Sequence, residues 1–123
     1  MIKINEIGFV SYPTKDIKKA CEFYEGVLGL KKTSDFGEDP TGGKWVEFEI
    51  GNGAALGLGQ MDGWLPNEGG GCAAFEVEHF DNAISKLKEN NVVFTMEAME
   101  TPVCHMAVCK DLDGNSFIIH KRK

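Results

Sequence analysis

Apolar and polar positions along this chain follow two periods, and the order in which they alternate predicts its elements. From Ile4 to Tyr12 a short apolar run ends at Pro13, which reads as a strand leading into a turn. Ile17, Ala20, Cys21, Tyr24, Val27 and Leu28 then recur at helical spacing, with Lys18, Lys19 and Glu22 on the opposite face. Asp16 is the expected N-cap and Gly29 the stop. A strand near Leu30 to Phe36, a Gly/Pro-rich loop from Gly37 to Gly43 and a strand placing Val46, Phe48 and Ile50 on one face come next. After the turn Gly51-Asn52-Gly53, a further strand points Leu56 and Leu58 inward, with Gly57 and Gly59 in the alternate positions.

Beyond a Gly-rich polar stretch, Met61 to Gly71, the pattern restarts. Cys72 to Val77 reads as a strand, and Asp81 as the N-cap of a helix carrying Ala83, Ile84 and Leu87, stopped at Asn90-Asn91. Strands are expected near Val92 to Met96, Pro102 to Lys110 and Asn115 to Lys121. Each half therefore reads βαβββ, an internal repeat with modules at 1–60 and 72–123 joined by a linker at 61–71. Neither half is large enough to close a core alone, so one domain of 123 residues is expected, an α+β fold with a curved mixed sheet. Helices covering one face would leave the concave face as a cleft.

The closing segment assigns faces. Asp113-Gly114 before a β-branched and aromatic run is a hairpin signal, because glycine takes the positive φ of a tight turn. Along the strand that follows, Ser116, Ile118 and His120 share one face and Phe117 and Ile119 the other. In the same register Cys104, Met106 and Val108 face the cleft and His105 faces away.

Composition narrows the function classes. A formal charge of -6 disfavours nucleic acid, which needs clustered Lys and Arg, and Lys121-Arg122-Lys123 is too short to change that. No apolar h-region opens the chain and no run approaches the ~20 apolar residues of a spanning helix, so a cytoplasmic location and no membrane partner are expected. Cys21, Cys72, Cys104 and Cys109 form no CxxC pair, as suits a reducing compartment.

The helix segment Asp16-Ile17-Lys18-Lys19-Ala20-Cys21-Glu22-Phe23-Tyr24, the following Val27-Leu28-Gly29-Leu30 and the closing Asp111-x-Asp113-Gly114-Asn115 resemble the vicinal oxygen chelate superfamily, from about Ile4 to Arg122. This group includes glyoxalases, bleomycin and fosfomycin resistance proteins and extradiol dioxygenases. The resemblance implies a glyoxalase-like fold, two modules enclosing a U-shaped cleft, a homodimer, and a divalent metal that chelates two adjacent substrate oxygens and stabilises an enolate-like or alkoxide charge. The family's metal positions fall, however, on Phe9, on Gly57 or Gly59, on Cys72 and on Ile118. They offer no hard N/O donor set for Zn, Ni, Mn or Mg. No metal and no other cofactor is therefore expected.

The remaining cleft residues are Phe9, Ser11, Ala55, Gly57, Gly59, Cys72, Ala74, Cys104, Met106, Val108, Ile118 and His120, an apolar hollow with few polar handles. That pattern is expected to bind a small, partly apolar molecule, with Met61, Trp45 and Trp64 at its mouth. Three other readings stay open. A metal-dependent lyase, isomerase or thiol transferase of the glyoxalase I or fosfomycin-resistance type could use displaced ligands, with Zn or Ni as cofactor. A one-residue strand slip would recruit His105 with Glu47 or Glu49, and Cys72, His120 and Cys104 or Met106 could make a soft site. The third is a structural or regulatory dimer with no ligand. A triad of Ser11, His120 and Glu76 lacks the strained turn that activates serine, and Gly69-Gly70-Gly71 precedes a strand, so neither hydrolase nor phosphate-loop chemistry follows.

Overall fold

The computed structural model describes residue 3, residue 5, residues 7–51 and residues 53–123. The expected strand start at Ile4 and the turn residue Asn52 lie outside the described residues. The chain divides into two compact units, Met1–Leu65 and Pro66–Lys123. Each carries one four-stranded mixed sheet.

In the first unit β1 (Val10–Pro13) leads to α1 (Ile17–Glu22), then β2 (Lys31–Glu38), β3 (Lys44–Ile50) and β4 (Ala54–Gln60). The sheet order is β1-β4-β3-β2, with β1 parallel to β4 and the other pairs antiparallel. Asp16 caps α1 as its sequence position predicts, accepting the Lys19 N–H at 3.1 Å. Gln60 adds a second cap by accepting the Ile17 N–H at 2.8 Å, which ties the start of α1 to the end of β4. The expected single helix through Leu28 is instead widened into a π-helical turn over Phe23–Val27, where the Leu28 N–H reaches back to the Phe23 carbonyl at 3.1 Å. That turn sets Tyr24, which is fully buried, against Tyr12 and Phe48 at ring separations of 6.4 and 6.1 Å. Val46, Leu56 and Leu58 complete this core, on the faces that strand alternation assigns to them.

In the second unit β5 (Ala73–Glu76) is followed by α2 (Phe80–Glu89), β6 (Val93–Glu100), β7 (Cys104–Lys110) and β8 (Ser116–Arg122), in sheet order β5-β8-β7-β6. Two local expectations are corrected. The N-cap of α2 is His79, because the first helical bond runs from Ala83 N–H to the His79 carbonyl at 3.0 Å and Phe80 already packs against the His105 ring at 5.6 Å. Asp81 falls inside the first turn, where its carboxylate faces the positive end of the helix dipole. Strand β7 begins at Cys104 instead of Pro102, because Thr101 Oγ1 accepts the Val103 and Cys104 N–H groups at 3.2 and 3.0 Å and closes a tight turn there. Asn91, at φ 58, ends the helical segment as expected. The core of this unit is Leu87, Ala107, Cys109, Phe117 and Ile119.

The turn into β8 is locked from within. Asp111 Oδ1 accepts the Asp113 and Asn115 backbone N–H groups, each at 2.9 Å, and Asp111 Oδ2 accepts the Asn115 amide at 3.0 Å. Gly114, at φ 87, supplies the left-handed residue between them. Asn115 Oδ1 in turn accepts the Asn67 N–H at 3.2 Å. The stretch expected to be a linker is thus divided between the two units: Met61 bridges to Trp64 in the first, while Asn67 and Glu68 are bonded to Asn115, Ser116 and Lys110 in the second. Among the described residues no helix is long and apolar enough to cross a membrane.

Candidate functional site

In the first unit the sheet face turned away from α1 is built on glycine. Register places Ser11 and Glu47 on either side of Gly57, and Pro13 and Trp45 on either side of Gly59. The absent side chains are replaced by indoles. A methyl group at Gly57 would lie 2.2 Å from Trp45 Cζ2, and one at Gly59 would lie 2.4 Å from Trp64 Cζ3. The two indoles stack at 6.4 Å with an interplanar angle of 18°, and Phe9 meets Trp45 edge-on at 5.8 Å. Trp45 is anchored by its Nε1–H, which donates to Glu47 Oε2 at 2.7 Å. A polar hollow of about 280 Å³ adjoins Trp64, walled by Thr14, Thr41, Gln60, Met61 and Asp62. The volume expected above Gly57 and Gly59 is therefore occupied by aromatic carbon, and the open surface is that of the rings.

In the second unit the face turned away from α2 carries two cross-strand rows. Ala74, Ile118 and Val108 form one, and Glu76, His120 and Met106 the other. His120 Nδ1 lies 2.6 Å from Glu76 Oε1, and Glu76 Oε2 accepts the Arg122 backbone N–H at 2.7 Å. The Arg122 N–H, then the His120 contact, holds the Glu76 carboxyl below the usual carboxylate range. Cys104 is buried with its Sγ 3.2 Å from Thr101 Oγ1, and Cys72 is exposed ahead of β5. His105 lies on the other side of the sheet, against Phe80, as alternation predicts.

Of the residues expected to contact a ligand, Phe9, Ser11, Gly57 and Gly59 share a face in the first unit. Ala74, Met106, Val108, Ile118 and His120 share one in the second. Sequence reasoning left Trp45 and Trp64 at the rim, missed Glu47 as the anchor of Trp45, and named Glu76 beside His120 only within a serine triad that it set aside. One signal was available: alternate glycines on a strand leave room that a cross-strand aromatic fills, and Trp45 is the neighbour of Gly59. The metal positions implied by resemblance carry a phenyl ring, a glycine, a thiol and an aliphatic chain, so this donor set does not fit a hard divalent cation. Among the described residues no three His, Cys, Asp or Glu side chains are grouped to hold a metal ion. A further hollow of about 500 Å³ opens between α1 and the β2–β3 edge, where burial pushes the Cys21 thiol up.

Two βαβββ units, each with one helix on a mixed four-stranded sheet, define a glyoxalase-like protein. The chain belongs to the Glyoxalase/Bleomycin resistance protein/Dioxygenase superfamily, whose model matches residues 5–119. It is similar to the glyoxylase/bleomycin resistance protein/dioxygenase domain from Frankia sp. EAN1pec, with 21% identity, a TM-score of 0.82 and coverage of 98% of this chain and 100% of that one. A superfamily member from Sphaerobacter thermophilus DSM 20745 is 25% identical at a TM-score of 0.80, covering 96% of this chain and 98% of that one. TnmS3, an antibiotic binding protein from Streptomyces sp. CB03234, is 22% identical at a TM-score of 0.80, with both chains covered in full at 100%. No curated protein matches this chain.

Proposed function

We propose that this protein binds a small, planar, partly apolar molecule without the divalent metal of its catalytic relatives. The observation that carries the reading is the pair of stacked indoles over the Gly57 and Gly59 floor. Two half-buried rings held parallel by a glycine floor and by the Glu47 anchor lose little freedom on binding, so a flat ligand gains contact area at low entropic cost. The hollow beside Trp64 adds the polar edge that fixes orientation. A likeness that supports the reading is TnmS3, itself an antibiotic binding protein. The same reading has the chain acting as a cytoplasmic homodimer, which sedimentation of the purified protein checks.

Titration with bleomycin and with anthraquinone-2-sulfonate, followed by quenching of tryptophan emission, tests the reading. At least one probe is expected to saturate, and Trp64→Ala is expected to weaken it about tenfold, the ~1.4 kcal/mol of one aromatic contact. Failure of both probes to bind at millimolar concentration refutes the proposal. So does a metal-stimulated turnover of hemithioacetal or epoxide substrates by Ni, Zn, Mn or Co.

A further inference from the structure

Parallel pairing of β5 with β8 sets Glu76 beside His120, two residues 44 positions apart in sequence. Both carboxylate oxygens are committed as acceptors, one to the fixed Arg122 backbone N–H and one to His120 Nδ1. The carboxyl is held below its usual range, so at neutral pH it is ionised and has no hydrogen to give. Nδ1 must therefore carry the proton of that bond. In the neutral imidazole Nε2 is then a bare lone pair, and it has no hydrogen-bond partner among the described residues. On this face Met106 lies opposite it, the apolar Ile118 and Ala74 occupy the row on one side, and Cys104 with Arg122 the row on the other.

We propose that Glu76 is a positioning residue that fixes His120 as a hydrogen-bond acceptor, and that His120 Nε2 receives the acidic hydroxyl of a phenol- or enol-bearing small molecule. An acidic O–H is the strong donor that a neutral imidazole nitrogen pairs with best, and the apolar row accommodates the body that carries it. The assignment goes beyond the aromatic face of the first unit and stands on the second unit alone.

The isosteric variant Glu76→Gln inverts the logic. Its amide oxygen satisfies the Arg122 N–H, its NH₂ then faces Nδ1, and the imidazole has to move its proton to Nε2. Long-range ¹⁵N–¹H correlation NMR of the neutral imidazole reads this without any ligand. The wild-type protein is expected as the Nδ1–H tautomer and E76Q as the Nε2–H tautomer, with an otherwise unchanged amide spectrum. Binding is read with 2-naphthol and 2-methoxynaphthalene, equal in ring and different in donor. The wild type is expected to prefer 2-naphthol about fivefold, the value of one net hydrogen bond, and E76Q and His120→Phe are expected to lose that preference. An Nε2–H tautomer in the wild type, or no swap in E76Q, overturns the role of Glu76. An equal preference in wild type and E76Q, or no binding of either probe to the wild type, overturns the ligand class. Stacking at Trp45 and Trp64 is tested by its own variants, so a failure here and a failure there are told apart.

Discussion

Replacing Gly57 by alanine tests whether the glycine floor and the indole above it form one interlocked unit. Gly57 is not at positive φ, so its backbone accepts alanine, and the whole effect comes from the added methyl. That methyl would sit 2.2 and 2.5 Å from Trp45 Cζ2 and Cη2. Carbon atoms rest about 3.5–4.0 Å apart, so the ring has to retreat by roughly 1.3 Å or more. Retreat strains the 2.7 Å bond to Glu47, the edge contact with Phe9 and the stack on Trp64. Overpacking of this kind costs about 1–3 kcal/mol, and the weakened bond and ring contacts add about 1 kcal/mol. Strand preference for alanine returns about 0.5–1 kcal/mol. A net loss of about 2 kcal/mol is expected in urea unfolding followed by far-UV circular dichroism. In a Trp45→Ala background the same substitution should be neutral or stabilising, which gives a coupling of about 2 kcal/mol in the double-mutant cycle. A loss below about 0.5 kcal/mol, or an equal loss in both backgrounds, would refute the interlock.

Two further outcomes follow from buried polar and thiol groups. Asn115→Ala removes the partners of Asp111 Oδ2 and of the Asn67 N–H at a site only 1% exposed; a loss of about 2 kcal/mol in the same unfolding assay is expected, against less than about 0.5 for Leu112→Ser at the exposed turn tip. Burial pushes the Cys109 thiol from 9.0 up to about 11, so the folded state holds that proton more tightly than the unfolded one. The resulting stability is complete below pH 9 and is lost as pH rises through about 11, up to roughly 2–3 kcal/mol in total. Cys109→Ala should flatten this alkaline slope, and an unchanged slope in the variant would assign it to other groups.

Features encoded locally were legible in the sequence. Asp16 caps α1 through a bond to a residue three positions on, and Gly114 turns the chain within a five-residue loop closed by Asp111, so both carry their own signals. Alternation likewise placed Phe117 and Ile119 in the core and His120 on the other face, because a strand's period is independent of its neighbours. What escaped depends on pairing. Space above Gly57 and Gly59 is consumed by Trp45 from β3 and Trp64 from a loop, so counting small residues on β4 alone overstated the free volume. Glu76 enters the sequence reading beside His120 only as the acid of a rejected triad, because the parallel strand pair that joins the two has no hairpin to announce it. The π-helical turn at Phe23–Val27 was hidden for a different reason: its apolar residues still satisfy helical spacing, and the widening is set by how Tyr24 seats between Tyr12 and Phe48.

The fit between the glycines of β4 and the two indoles also restricts how this sequence can change over time. A larger residue at position 57 or 59 collides at once, whereas a smaller residue at position 45 or 64 leaves only an opening. Substitution therefore has a direction: the ring has to shrink before the floor can rise, and the reverse order passes through a destabilised intermediate. Descendants of this chain are expected to keep the four positions together or to exchange them in that order, so an alignment of its relatives should pair a bulkier residue at 57 or 59 with the loss of the facing tryptophan.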